Sequence, residues 1–440
     1  MKKVSAFLAL LLVSSCLLGQ QVDAGNGHAL ILDNNGSVWS VGRNNFGQLG
    51  DSSTHNSPAP LKVDRLNKIA AISRGYDHSI AIDAQGDMYL WGRNNYGQLG
   101  CASANDQWIP QKLVNHTGFV AAEGGHWHTI GLKKDGTVWA WGHNFYAELG
   151  NGTREHSAWP VQVIQQTEDG TTKLSDVKSI ASVGYHTLAL KHDGTVWGWG
   201  GNSFNELGTK GDEFQPYAIQ VKGIPPIQQI AVGWHHSVAL DQDGNVWVWG
   251  SDPATQDKEE TKRHYEHPIL LKGMPKITRI ACGSWHSLAI DENMNVWGWG
   301  KNHFGMLGTG DTISRTKPVL LPSLHDIVDI GGGCFQSMAV DKAGTIFTFG
   351  DNPSGQLGIG NFTRCYSPNI MALDLDGVLQ AEHLQPMPTD TEPTLVSSQV
   401  GSLHLQLDWS MVLSGLKYLL FGFSVLLNVM IYVRLRRLRV

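Results

Sequence analysis

The sequence predicts an all-β fold, a seven-bladed β-propeller of four-stranded antiparallel blades, and three observations carry that prediction. A unit of about 50 residues recurs seven times. Each copy holds short strand-forming runs separated by turn residues. The chain also carries 51 Gly and 16 Trp in 440 residues, a composition of tight turns and large aromatics.

The repeat is marked by the glycine that closes each V/W-x-x-G run, at positions 42, 92, 142, 200, 250, 300 and 350. An upstream histidine keeps step at His28, His78, His128, His186, His236 and His286, and Gln336 takes the seventh place. In the second copy KIAAIS (68–73), HSIAID (78–83) and DMYLWG (87–92) read as three strands. A fourth follows a proline-containing stretch, as in PLKV (60–63), PVQV (160–163), PILL (268–271) and PVLL (318–321). KKDG (133–136), KHDG (191–194), DQDG (241–244) and DKAG (341–344) are hairpin signals, because glycine takes positive φ without strain. Asp83, Asp241, Asp291 and Asp341 recur there as turn formers. Runs such as VWAW (138–141) are apolar at successive positions, as expected of strands covered on both faces by neighbouring blades.

Seven blades closed into a ring need no capping repeat. The first copy begins near Val22, and GVLQA (377–381) either adds a closing strand or stands outside a ring complete without it. The phrases VGRNNFGQLG (41–50) and WGRNNYGQLG (91–100) are expected to be turns leaving an inner strand. Glycine supplies tight geometry there, asparagine binds local backbone, and a leucine tucks under the blade.

The unit GxxHSxALxxDGxVWxWGxNxxGQLG, over residues 20–381, resembles the repeat of the regulator of chromosome condensation family. The resemblance implies a seven-bladed propeller. It implies less about activity, because this fold hosts exchange factors, light sensors, enzyme inhibitors and ubiquitin-ligase modules.

Both ends read as targeting devices. Residues 1–19 place Lys2 and Lys3 before AFLALLLV (6–13) and small residues, the pattern of a signal peptide. Cleavage before Gln20 and lipidation of Cys16 at VSSC (13–16) are the competing readings. Residues 382–408 form a Pro/Thr/Ser-rich stalk, residues 409–433 a transmembrane helix and residues 434–440 a basic tail. Four arginines in RLRRLR (434–439) place the C-terminus in the cytoplasm and the propeller outside. Between the ends, residues 20–408 hold all 39 acidic residues and 26 of the 33 Lys/Arg, a net −13, which disfavours nucleic acid. The remaining cysteines Cys101, Cys282, Cys334 and Cys365 show no CxxC spacing.

No nucleophile elbow, phosphate loop or carboxylate motif is present, so neither catalysis nor a metal or cofactor is expected. The in-step histidines are read as structural hydrogen-bonding residues, too dispersed around a ring for tetrahedral zinc. The slots between the turn glycine and each histidine carry Tyr76, Trp127, Tyr185, Trp234, Trp285 and Phe335. These form either a partner-binding ring on one face or packing between blades. Copy five replaces the phrase with SDPATQDKEETKRHYEHP (251–268), a degenerate blade or a rim contact. The longer third copy contains Asp169-Gly170, the signature of an extended hairpin. The leading expectation is a monomeric, exported, membrane-anchored propeller that binds a protein partner at the cell surface. The alternatives are an extracellular enzyme inhibitor or carbohydrate-binding propeller, and a guanine-nucleotide exchange factor for a small GTPase.

Overall fold

The computed structural model describes residues 22–101, 103–255 and 264–380. The expected signal peptide, Cys16, stalk, membrane helix and tail, and much of the charged loop of copy five, lie outside these residues. Among the described residues no helix is long and apolar enough to cross a membrane.

The described chain forms seven sheets, each built on four consecutive antiparallel strands, spanning 22–62, 69–112, 119–162, 177–220, 227–270, 277–320 and 327–374. We number these blades 1 to 7. In blade 1 the strands are Val22–Ala24, His28–Leu32, Val38–Gly42 and Ser57–Lys62, from first to fourth. The first strand of each blade abuts the first strands of both neighbours, including blade 7 against blade 1. Seven first strands therefore encircle a central channel, and the fourth strands form the outer wall.

The consecutive apolar positions explain how the blades pack. His28–Leu32 and Val38–Gly42 are buried along their whole length, since one side faces each neighbouring blade. Each of the seven interfaces has its own apolar cluster. Between blades 1 and 2, for example, Leu30, Leu32 and Val38 meet Ile69, Ile72 and Trp91. At the closing seam Val22, Ile31 and Trp39 meet Met338, Val340 and Leu373. Burial of one such side chain contributes about 1.5–3 kcal/mol, so the ring is held chiefly by these contacts.

The seam joins first and last blades without strand exchange. The Cys334 N–H donates to the Gly25 carbonyl at 3.0 Å and the Asn34 N–H to Leu375 at 2.7 Å. The described part of GVLQA, residues 377–380, adds no closing strand. Its backbone turns back on the outermost strand of blade 7, where the Gln380 N–H donates to the Ala372 carbonyl at 3.0 Å. Blade 1 is built from four strands of its own and takes none from the C-terminal segment.

Asp169-Gly170 forms the expected hairpin, Ile164–Thr167 with Gly170–Lys173. It lies beside the outermost strand of blade 4, with Gln165 opposite Ala218. The turn aspartates act as local acceptors: Asp83 Oδ1 takes the N–H groups of Gln85 and Asp87 at 2.9 and 3.0 Å.

The repeated phrase is a strut between blades. Asn44 Oδ1 accepts the Leu49 N–H at 2.9 Å, and the Asn44 amide donates to Asp51 Oδ1 at 2.9 Å. The Gln48 carbonyl then accepts Ser79 Oγ–H and the Trp91 indole N–H of blade 2, both at 2.8 Å. The phrase glycine is obligatory by geometry: at Gly142, with φ +107°, a Cβ would lie 2.6 Å from the Trp127 carbonyl oxygen.

Candidate functional site

Two sets of repeated residues meet where the first strand of each blade turns into the second. The in-step histidines open the second strands and are buried. Their Nε2 atoms reach across to a hydroxyl of the next blade rather than bonding within their own. His28 meets Ser79 at 3.2 Å, His78 Thr129 at 3.0 Å, His186 Ser237 at 2.9 Å, His236 Ser287 at 3.0 Å and His286 Ser337 at 2.7 Å. His128 instead meets Ser182 at 3.2 Å. Burial pushes His28, His78, His128, His236 and His286 down to about 3 and His186 to about 4, so the imidazoles are neutral.

The seventh position departs from the pattern for a local reason. Blade 1 carries Ala29 where the other blades offer a hydroxyl, so a histidine at position 336 would have no side-chain partner. Gln336 reaches past the methyl group and donates to the His28 carbonyl at 3.4 Å. Among the described residues no group of three His, Cys, Asp or Glu is arranged to hold a metal ion.

The turns carrying Tyr76, Trp127, Tyr185, Trp234, Trp285 and Phe335 all lie on one face, around the channel axis. All six side chains are half-buried. They occupy two distinct positions. Residues two before the histidine lean over the axis: Tyr76 lies 4.2 Å from His126 and 5.9 Å from Trp234, and Trp234 lies 5.5 Å from His126. Blades 2 and 5 stand on opposite sides of the ring, so the Tyr76–Trp234 contact spans the channel mouth.

Residues one before the histidine point outward. Trp127, Tyr185 and Phe335 meet aromatics of the phrase: Tyr96 at 5.3 Å, Tyr146 at 4.9 Å and Phe304 at 5.1 Å. His126 bridges the two positions, stacked on Trp127 at 4.1 Å and 5.1 Å from Tyr185. Trp285 joins through Trp234 at 5.4 Å and His235 at 5.5 Å. Five of the six aromatics are therefore linked, and Phe335 stands apart with Phe304.

Sequence reasoning missed this outer tier. Phe46, Tyr96, Tyr146, Phe204 and Phe304 each stand four residues after the glycine of the V/W-x-x-G run, and all are half-buried. The signal was visible in the exchange of Phe46 for Tyr96 within an otherwise constant phrase. It also missed the cations stacked on aromatic rings of both tiers and on Phe145 and Phe214. The Arg93 guanidinium lies 4.7 Å from the Phe46 centroid and 5.8 Å from Trp127. Arg154 lies between Phe145 and Phe214 at 4.8 and 4.4 Å, Lys301 over Trp285 at 4.3 Å and Arg364 over Phe304 at 4.6 Å. Arg43 and Arg93 share the single buried carboxylate of Asp77, at 3.4 and 3.2 Å.

Behind the aromatic cluster the channel holds a cavity of about 110 Å³ with Asp23, Arg74, Glu123, Gln229 and Arg279 in its walls. Arg74 pairs with Asp23 at 3.2 Å and donates to the Gly332 carbonyl at 2.9 Å. Burial, reinforced by Asp23, pushes the Glu123 carboxyl up to about 8. Cys101, Cys282, Cys334 and Cys365 are free thiols.

Against known families, residues 114–404 match the RCC1-like domain, and the regulator of chromosome condensation (RCC1) repeat matches residues 35–82 and 85–132. A second model of that repeat matches residues 20–48 and 68–98. No curated protein sequence matches the chain at a significant level. Among solved structures, human WBSCR16 is 20% identical with a TM-score of 0.66, covering 77% of this chain and 93% of its own. Yeast RCC1 (Prp20) bound to Kap60 is 25% identical with a TM-score of 0.61, covering 71% of this chain and 78% of its own. Prp20p of Saccharomyces cerevisiae, described with its binding properties to Gsp1p and histones, is 25% identical with a TM-score of 0.58 and covers 71% and 80%. With the RCC1-like domain matched over more than half its length and seven blades built from that repeat, the chain belongs to the RCC1-like domain family.

Proposed function

We propose that the chain is an exported, membrane-anchored propeller that binds another protein through its aromatic face, by recognition rather than catalysis. The observation that carries this reading is the linked cluster of Tyr76, Trp127, Tyr185, Trp234 and Trp285, half-buried, with Arg93 over Trp127 and Lys301 over Trp285. Trp, Tyr and Arg are the side chains that dominate binding energy at protein interfaces. Yeast RCC1 (Prp20), which is 25% identical, is seen bound to another protein, Kap60, and that supports a protein-binding role. Export is supported by the apolar run at 6–13, and anchoring by the apolar segment at 411–433 followed by RLRRLR.

Two measurements test the reading. Protease treatment of intact cells should remove the propeller; a protected, cytoplasmic propeller would sink the topology and favour the exchange-factor reading. Trp234→Ala and Trp285→Ala should each weaken capture of the surface partner at least tenfold while the chain stays folded. Loss of fold with no selective loss of the partner would make these residues packing residues.

A further inference from the structure

The cavity inside the channel carries a carboxyl group that neither the fold nor the aromatic face uses. Its wall follows from one register position, the first-strand residue paired with the residue two past each in-step position. In blades 1 to 3 that residue is Asp23, Ser73 and Glu123, paired with Leu30, Ile80 and Ile130. In blades 4 to 6 it is Ala181, Ala231 and Ala281, and in blade 7 it is Gly331. Four blades thus fold without a polar group there. One half of the ring presents oxygens at this level and the other half presents small apolar side chains. The cavity of about 110 Å³ is the space that those small side chains leave, with Ala181, Ala231 and Ala281 in its wall opposite Asp23 and Glu123.

The two arginines of the wall each have a carboxylate of their own. Arg74 Nε lies 3.2 Å from Asp23 Oδ1, and Arg74 Nη2 donates to the Gly332 carbonyl at 2.9 Å. Arg279 Nη2 lies 2.7 Å from Asp329 Oδ1. Glu123 has no such pairing. Among the described residues its one hydrogen bond comes from the Ser73 hydroxyl, at 3.4 Å from Oε2. A carboxyl group placed this deep ionises readily only when a cation meets it. Burial, reinforced by Asp23, accordingly pushes it up to about 8.

We propose that the channel cavity is a binding site for a small primary alkylammonium ion. The ammonium N–H groups donate to the Glu123 and Asp23 carboxylates, and the alkyl chain lies against Ala181, Ala231 and Ala281. The volume suits such a ligand, since an apolar cavity of about 150 Å³ holds benzene and propylammonium is smaller. Among the described residues no three metal-ligating side chains converge, which disfavours a divalent cation. The site is separate from the aromatic face and does not depend on export.

The test titrates the full chain with propylammonium chloride by calorimetry, between pH 6 and pH 8. The expected result is saturable one-to-one binding that tightens by about tenfold per pH unit, because binding ionises Glu123 and releases its proton. Asp23, Arg74 and Arg279 also face the cavity, and Glu123→Gln separates their titration from that of Glu123. That variant should lose the pH dependence and bind at least tenfold more weakly, with Tm unchanged or higher. Ala231→Val fills the apolar side while keeping both carboxyl groups, and it should also weaken binding at least tenfold. Tetramethylammonium, which has the charge but no N–H, should not bind. No binding to the parent chain, binding unaltered in Ala231→Val or in folded Glu123→Gln, or equal affinity for potassium or tetramethylammonium would overturn the proposal. Should Glu123→Gln fail to fold, pH-independent binding to the parent chain would overturn it equally.

Discussion

Lowering the pH from 6.5 to 5.5 should destabilise the propeller by about 6 kcal/mol, and the interblade histidines are the cause. Their folded pKa values of about 3 to 4 lie well below the 6.5 of a free imidazole, so across this window the folded chain holds them neutral. The unfolded chain binds protons there, so stability is full above pH 6.5 and falls as the pH drops towards 3 to 4. An unfolded imidazole goes from half to about nine-tenths protonated over that one unit, which shifts the balance by about 1 kcal/mol per histidine and about 6 for the six. His126, also pushed down to about 3, adds roughly 1 more.

Glu123 opposes this. Its carboxyl, pushed up to about 8, is protonated when folded and ionised when unfolded, so acidification favours the fold by about 1 kcal/mol per unit. The net loss is a large share of the roughly 5–15 kcal/mol of a typical domain. Urea unfolding followed by tryptophan fluorescence should show the midpoint falling by roughly 1–2 M between the two pH values. His286→Gln, which copies Gln336, should flatten the dependence by about 1 kcal/mol. Equal midpoints at pH 6.5 and 5.5 would refute the reasoning.

Gln336→His alone should destabilise the closing seam, since the imidazole would face the Ala29 methyl; adding Ala29→Ser should recover about 1 kcal/mol, read as the coupling in a double-mutant cycle. Arg74→Met leaves the Asp23 carboxylate buried without its cation and should cost about 3–5 kcal/mol in chemical denaturation, most of it regained with Asp23→Leu. Gly125→Ala drives a methyl group into the His128 ring, so it should lower stability by about 1–3 kcal/mol, whereas Gly118→Ala, where a Cβ meets nothing within 4 Å, should act only through its positive φ.

The blade count and the strand runs were legible because a 50-residue period and hairpin glycines are local signals. The Asp169-Gly170 hairpin was legible for the same reason. The partner of each histidine was not, because it lies on another blade; yet His28 and Ser79 are 51 residues apart, one repeat and one position, so the period contained the answer. The aromatic turns were legible as a set but not as two tiers. One residue of offset decides whether a ring leans over the axis, as Trp234 does, or outward, as Trp127 does. Ring closure was left open by the sequence, since nothing in GVLQA distinguishes a fifth strand from a turn that folds back onto Ala372. Arg93 stacked between Phe46 and Trp127 was invisible because its two partners come from different blades.

The central claim is that one face of the ring holds a partner outside the cell. Photo-crosslinking residues placed singly at Asn95 and Phe145, exposed on the aromatic face, and at Val120 and Val328, exposed at the opposite mouth of the channel, test it directly on intact cells. Mass spectrometry should recover a common surface protein from the first pair and not from the second. Recovery of the same protein from both faces, or of none from the aromatic face, would contradict the account.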